Sequence, residues 1–447
     1  MPSLPGMGFY LHLARDLTGQ SKLPLYELDQ ANVLSKRGRI RPFENRRGFT
    51  GDPKCSPSGQ PPSYLRIRAW RLAHAIRKAD CAKRVPFWLL RRGSLGFMIE
   101  HGHVFRWNAD NLRLGNGMSD FYADFSRTSL SGRIAQGMVY LFMEDRGYAF
   151  GERFSTFLMR MEGRPGYDPS WRTQRARLRG LAKSPKVPDF IFEKPSRETA
   201  LAESKGSFVS PGMTPNQKGD LRIGIEQLNE WDQHVNPVPR KRFAIGTYLR
   251  EEGDPSLEPS MVAYVDPENY QPADLPEYPR DWVRRGNYAA WLGGMGFVGV
   301  AQDLQHGRDR SEQQFLRFPV MRIDGQEFAF VVQYIRPKIG PEEQFPVSDS
   351  EFWRRLSEWS LLSSFWDGMV LGIMGIGLPV MNQIAEALRT GESAALLDIE
   401  AMEEPEFPQK VEDVKADGSV FSDGTIVGEL TFRTWRPAEW RLEEVLL

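Results

Sequence analysis

The chain has 447 residues, enough for two or three domains, and its 40% hydrophobic and 26% charged content is that of an ordinary globular protein. Lys plus Arg and Asp plus Glu both number 58, so the net charge is zero and bulk attraction to a polyanion is excluded; such a partner must be met by a local basic patch. The cysteines are only Cys55 and Cys81, which argues against a disulfide framework and for a reducing cytoplasm, and MPSLPGMGFYLHLARD shows no signal-peptide pattern.

Residues 1–120 read as an N-terminal accessory α+β domain. RGRIRPFENRRGFTGDPKCSPSGQPPS has loop composition, YLRIRAWRLAHAIRKADCAKR reads as a helix with Leu65, Trp70, Leu72, Ala73 and Ile76 among its apolar positions, and GFMIEHGHVFRW reads as strand. Residues 121–272 hold a sharper pattern. In SLSGRIAQGMVYLFMEDRGYAF, Ile134, Met138, Leu141 and Phe142 recur at helical spacing, with Ser131 as expected cap and Gly147 as expected stop. YAFGERFSTFLMRM reads as strand. EGRPGYDPSWRTQRARLRGLAKSPK then carries Arg172, Arg175, Arg177, Arg179 and Lys183 beside Trp171, a set suited to gripping phosphates and stacking a base. VPDFIF and ALAESKGSF read as strands. TPNQKGDLRIGIEQLNEWDQHV reads as a helix with Thr214 as N-cap, Pro215 at its first position and Leu221, Ile225 and Leu228 on its buried face. KRFAIGTYLR and SMVAYVDP close the region as strands.

Residues 273–447 read as a C-terminal α+β domain behind a Pro-rich link. NYAAWLGGMGFVGVAQDL is a helix candidate. FLRFPVMRIDGQEFAFVVQYIRP is a hairpin turning at Asp324-Gly325. EFWRRLSEWSLLSSFWDGMV reads as an amphipathic helix, DIEAMEEPEFPQKVED as a solvated face or linker and VFSDGTIVGELTF as a last strand pair. The most apolar run, GMVLGIMGIGLPVM, falls short of the roughly 20 residues that span a bilayer, so a buried helix or a strand-turn is expected and no membrane partner.

Chemistry concentrates on the two short runs VPDFIF and ALAESKGSF. Residues two apart in a strand share a face, so Glu203 and Lys205 point the same way. If the two runs pair, Asp189 lies near them. Burying two carboxylates and an ammonium separately is unfavourable by several kcal/mol each. Gathered round a divalent cation they offset much of that, and hard oxygen donors of this kind suit Mg²⁺, with Mn²⁺ able to substitute. Asp189 and Glu203 would hold the ion, the Ser204 carbonyl could add a ligand, and Lys205 would sit by the attacking water and the developing phosphorane charge.

Asp189 followed by Glu203-Ser204-Lys205, set between the two helices, resembles the PD-(D/E)xK, restriction-endonuclease-like nuclease superfamily. The resemblance covers roughly residues 125–270. It implies an α/β class with a restriction-endonuclease-like core, a mixed sheet flanked by helices. It also implies metal binding by Asp189 and Glu203, water activation assisted by Lys205, and cleavage of DNA, with RNA left open. A bacterial restriction or antiphage setting follows from the same resemblance, with a protein partner or homo-oligomer as a further expectation. Many members carry a Glu on the first helix, where this chain shows Gln136. Second-helix candidates are Gln217, Lys218 and Gln227. The competing reading is a catalytically inactive nuclease-like nucleic-acid-binding or assembly protein.

Overall fold

The computed structural model of the chain describes residues 19–35, 63–81, 102–107, 110–161, 187–231, 239–256, 258–267, 277–307, 315–337, 369–411, 414–432 and 441–446. They fall into two units, one drawn from Met1–Ala82 and Gly96–Val283, the other from Lys83–Leu95 and Arg284–Leu447. Each combines a sheet with helices, so the chain is of mixed α/β class.

The first unit runs β1 (Gln20–Glu27), α1 (Gln30–Leu34), β2 (Ser63–Arg68), α2 (Ala69–Cys81), β3 (Phe105–Arg106), β4 (Arg113–Leu114), α3 (Met118–Phe121), α4 (Asp124–Glu144), β5 (Phe150–Arg153), α5 (Phe154–Met161), β6 (Phe190–Glu193), β7 (Thr199–Val209), α6 (Gln217–Trp231), β8 (Lys241–Arg250) and β9 (Met261–Val265). Seven strands form one mixed sheet in the order β2-β1-β9-β8-β7-β6-β5. The pairs β1–β9 and β7–β8 are parallel; the rest are antiparallel. The stretch expected as an N-terminal domain thus contributes two strands to the same sheet as β7, with Leu25 opposite Val262.

Helices α4 and α6 cover opposite faces of β7, each seated by a glycine. A Cβ on Gly206 would lie 2.6 Å from the Ala135 Cβ and closer still to the Ser131 carbonyl oxygen, so α4 rests directly on the strand. A Cβ on Gly224 of α6 would lie 3.1 Å from the Ala244 Cβ and 3.5 Å from the Glu203 Cγ. Leu221, Ile225 and Leu228 of α6 are fully buried, as their spacing indicates.

Several boundaries differ from the sequence expectation. Helix α4 starts at Asp124, and Ser131 lies inside it with its hydroxyl donating to the Thr128 carbonyl at 3.2 Å. Gly147 does follow the helix with φ of 80°. Helix α6 starts at Gln217 rather than Pro215; the Asn216 carbonyl accepts from Asp220 N at 3.0 Å, and Asn is a favoured residue at such a position. The run expected as one strand over 148–161 is β5 followed by α5, because Phe154, Phe157, Leu158 and Met161 are buried at helical period. The helix expected from Tyr64 begins only at Ala69; before it Leu65 and Ile67 are buried while Tyr64 and Arg66 are exposed, which is strand period. His103 lies in a single turn of 3₁₀ helix, Gly102–Val104, rather than in a strand.

The second unit runs α7 (Trp282–Met295), whose first two residues belong to the first unit, α8 (Val298–His306), β10 (Phe315–Ile323), β11 (Gln326–Pro337), β12 (Met369–Gly377), α9 (Leu378–Thr390), α10 (Ala394–Leu397), β13 (Gln409–Val411), β14 (Val414–Val420), β15 (Thr425–Phe432) and β16 (Arg441–Leu446). Its seven strands among the described residues are antiparallel in the order β13-β14-β15-β12-β11-β10-β16. Asp324 and Gly325 turn the β10–β11 hairpin with φ of 51° and 76°, the left-handed pair that a two-residue loop matched to strand twist requires. The glycine-rich helix expected over 287–304 is broken into α7 and α8 at Gly296, whose φ is 109°. The apolar run becomes β12 and then α9. The amphipathic helix expected over 351–370 lies outside the described residues except at its end, where β12 begins. No helix among the described residues is long and apolar enough to cross a membrane.

Candidate active site

The chain places Asp189, Glu203 and Lys205 together where β6 stops short beside β7. Phe190 of β6 pairs with Ala202, so β7 runs on past its neighbour with no strand partner on that side among the described residues. Asp189 stands at the break. Its Oδ2 accepts from Ser204 N at 3.0 Å, replacing a ladder hydrogen bond, and its own backbone N donates to Glu203 Oε2 at 3.1 Å. The Ser204 carbonyl leaves the strand on the same side as its N–H, toward Asp189. Lys205 Nζ donates to Glu203 Oε1 at 2.5 Å and to Gln227 Oε1 of α6 at 2.7 Å.

Electrostatically the pair of acids is dominated by burial, against the pull of nearby cations. Burial is the largest influence on Glu203 and the neighbouring Asp189 charge the second; together they raise its carboxyl to about 7, although Lys205 pulls the other way. Burial likewise raises Asp189, opposed by Arg153, the Ser204 amide, Lys205 and Gln136. Both groups would be brought back toward ordinary values by a divalent cation. No group of three or more His, Cys, Asp and Glu side chains that could hold a metal is found among the described residues. The donor set is therefore two carboxylates and a backbone carbonyl. That is sparse for a closed all-protein cage but fits Mg²⁺, which binds through one or two carboxylates and keeps several waters.

The other sequence-derived candidates separate cleanly. Gln136 of α4 reaches the site: its Nε2 donates to Asp189 Oδ1 at 3.3 Å. Gln227 is the second-helix residue that reaches Lys205. Gln217 instead packs on β9, its Nε2 donating to Met261 Sδ at 3.1 Å, and Lys218 Nζ reaches Ser35 Oγ beyond α1 at 2.9 Å. Arg172, Arg175, Arg177, Arg179 and Lys183, with Trp171, lie outside the described residues.

Two neighbours were missed in the sequence. Arg153, the last residue of β5, pairs with Phe190 and so falls beside Asp189; its Nη2 donates to Gln136 Oε1 at 2.6 Å and its Nη1 is 3.6 Å from Asp189 Oδ1. Asp220 lies one turn before Gly224 on α6. Burial raises its carboxyl, opposed by the charge of Lys205. Its neighbour Tyr248 is held well above the ordinary phenol range, by burial and then by Asp220. A helical stripe of 217, 220, 224 and 227 would have marked Asp220; Arg153 needed the β5–β6 register.

No protein-family model, no curated protein and no solved structure matches the chain.

Proposed function

We propose that the chain is a metal-dependent nuclease that hydrolyses phosphodiester bonds of DNA, built on a restriction-endonuclease-like core and working in the cytoplasm. The observation that carries this reading is the convergence of two carboxylates raised by burial, Asp189 and Glu203, and an ammonium at one strand break. Mg²⁺ or Mn²⁺ held by Asp189, Glu203 and the Ser204 carbonyl would polarise the phosphodiester and lower the pKa of bound water. Asp189 is oriented for this by the Ser204 amide and Gln136, and Glu203 by the Asp189 amide. Lys205, held by Glu203 and Gln227, stands beside the acids where it can stabilise a phosphorane oxygen or orient water. The resemblance to restriction-type nucleases extends the proposal to restriction or antiphage defence, with a protein partner or a second copy helping a neutral chain hold its substrate.

The test is cleavage of plasmid DNA, linear DNA and single-stranded RNA by the purified chain with Mg²⁺ or Mn²⁺, with chelator as control. DNA cleavage should need the metal. Asp189→Ala, Glu203→Ala and Lys205→Ala should each lower it by roughly 10²-fold or more. Equal cleavage by all four proteins would assign the activity to a contaminant and sink the proposal. Gln136, amide where a first-helix carboxylate stands in many members of the superfamily, favours a second reading, an inactive nuclease-like binding or assembly protein. Metal-independent DNA binding without cleavage of any substrate would select it.

A further inference from the structure

Arg153 is fixed beside the acids by more than one partner. Its Nε donates to the Ala79 carbonyl at 3.1 Å, its Nη2 to Gln136 Oε1 at 2.6 Å, and its guanidinium lies 4.8 Å from the centre of the Phe190 ring. Its Nη1 stands 3.6 Å from Asp189 Oδ1, and its side chain keeps 12% exposure. A guanidinium does not lose its proton in a protein, so this charge is permanent. Gln136 completes the arrangement. Its amide oxygen faces Arg153 and its amide nitrogen faces Asp189, so it relays one neutral link between a cation and an anion. A carboxylate at 136 would have added negative charge there.

Sites that hold two divalent cations about 4 Å apart need shared anionic ligands to hold them together. This notch offers two carboxylates, each with a cationic partner, Lys205 on Glu203 and Arg153 on Asp189; Asp220 lies on the Lys205 side, away from Arg153. A second dication on the Arg153 side of Asp189 would meet a fixed positive charge, and the described acid nearest in sequence to the Arg153 anchor, Asp80, is already paired with Arg133. We propose that the site takes a single divalent cation and that Arg153, held by Gln136, occupies the place and charge of a second. Arg153 is a positioning residue in this scheme: it fixes Asp189 Oδ1 and sets the metal count. The inference rests on the nuclease reading of the same acids.

Metal counting tests it without reference to cleavage. Mn²⁺ is titrated into the full chain, with free Mn²⁺ followed by electron paramagnetic resonance. The native chain should bind one Mn²⁺, and Glu203→Ala should abolish that binding. Arg153→Met, which removes the charge and keeps the length, should bind Mn²⁺ about tenfold more tightly, as expected when a cation beside the ligand is deleted. Arg153→Lys should stay near the native affinity. Gln136→Glu combined with Arg153→Met should bind two. Thermal melts of each variant confirm that it folds. Two Mn²⁺ on the native chain would overturn the inference while leaving the nuclease reading intact, as would a folded Arg153→Met with native affinity. No Mn²⁺ bound by the native chain would overturn both.

Discussion

Glu152 and Arg160 form an ion pair that the site does not use, and its titration is predictable. Glu152 is 2% exposed; its Oε2 accepts from Arg160, while its Oε1 has no hydrogen-bond partner among the described residues. Burial raises the carboxyl from the ordinary 4.5 to about 7, against the pull of Arg160. A carboxyl raised on folding binds its proton more tightly in the native state, so stability is lost as pH climbs from about 4.5 to about 7 and levels off above. The expected loss from this group over the whole range is roughly 3 kcal/mol. Glu203 titrates in the same direction in the ion-free protein. Urea unfolding at pH 5 and pH 8 should therefore show a less stable protein at the higher pH, and Glu152→Gln should flatten that difference by about half. An unchanged slope in the variant would remove Glu152 from the account. At this scale the site was legible in part. Glu203 and Lys205 share a face by strand period alone, and Asp189 joins them because the two runs pair in sequence order. Gln227 could not be chosen from Gln217 and Lys218 by sequence: Gln217 lies on the same stripe ten residues earlier, and only the packing of α6 on the sheet decides which amide stands level with Lys205.

Among elements, the α4–β7 contact does most to position the site, since it carries Gln136 to Asp189. It depends on Gly206 having no side chain, with Ser131 and Ala135 of α4 filling the place of a Cβ. Both obstacles belong to the helix itself, one of them backbone, so rotamer changes cannot relieve the clash. Gly206→Ala should cost about 1–3 kcal/mol in urea unfolding, the usual range for overpacking, and should weaken Mn²⁺ binding as α4 shifts. A substitution within about 0.5 kcal/mol of native would mean that helix and strand separate freely at this point. Elements whose signals are local were readable in the sequence: the Asp324-Gly325 hairpin, the buried face of α6, the stop at Gly147. Those that switch period within one apolar run were not. Ser63–Arg68 passes into α2 and Phe150–Arg153 into α5 without Gly or Pro between, so an unbroken run reads as one element. Parallel pairing of β1 with β9 joins residues more than two hundred positions apart, a distance at which no local pattern speaks.

For the molecule as a whole, the division into two units bears on what a bound ion can stabilise. Every candidate ligand belongs to the first unit, whose sheet includes β7 and β8. The second has its own core, in which Ile323, Phe328, Phe330, Leu371, Ile426 and Leu430 are buried across its antiparallel sheet. A ligand that binds only the folded form stabilises the unit that must unfold to release it, by about 2.7 kcal/mol at a free concentration one hundred times Kd. Backbone amides that exchange only through unfolding of that unit then slow by about 100-fold. Hydrogen exchange of the full chain with saturating Mn²⁺ should therefore slow the amides of β7 and β8 by that order and leave those of β11 and β12 unchanged. Equal slowing in both sheets would show that the two units unfold as one, and no slowing in β7 would remove the ion from Asp189 and Glu203. The comparison separates these outcomes because β7 and β8 are paired over ten residues, from Ala200 opposite Lys241 to Val209 opposite Arg250, so their amides report one cooperative block.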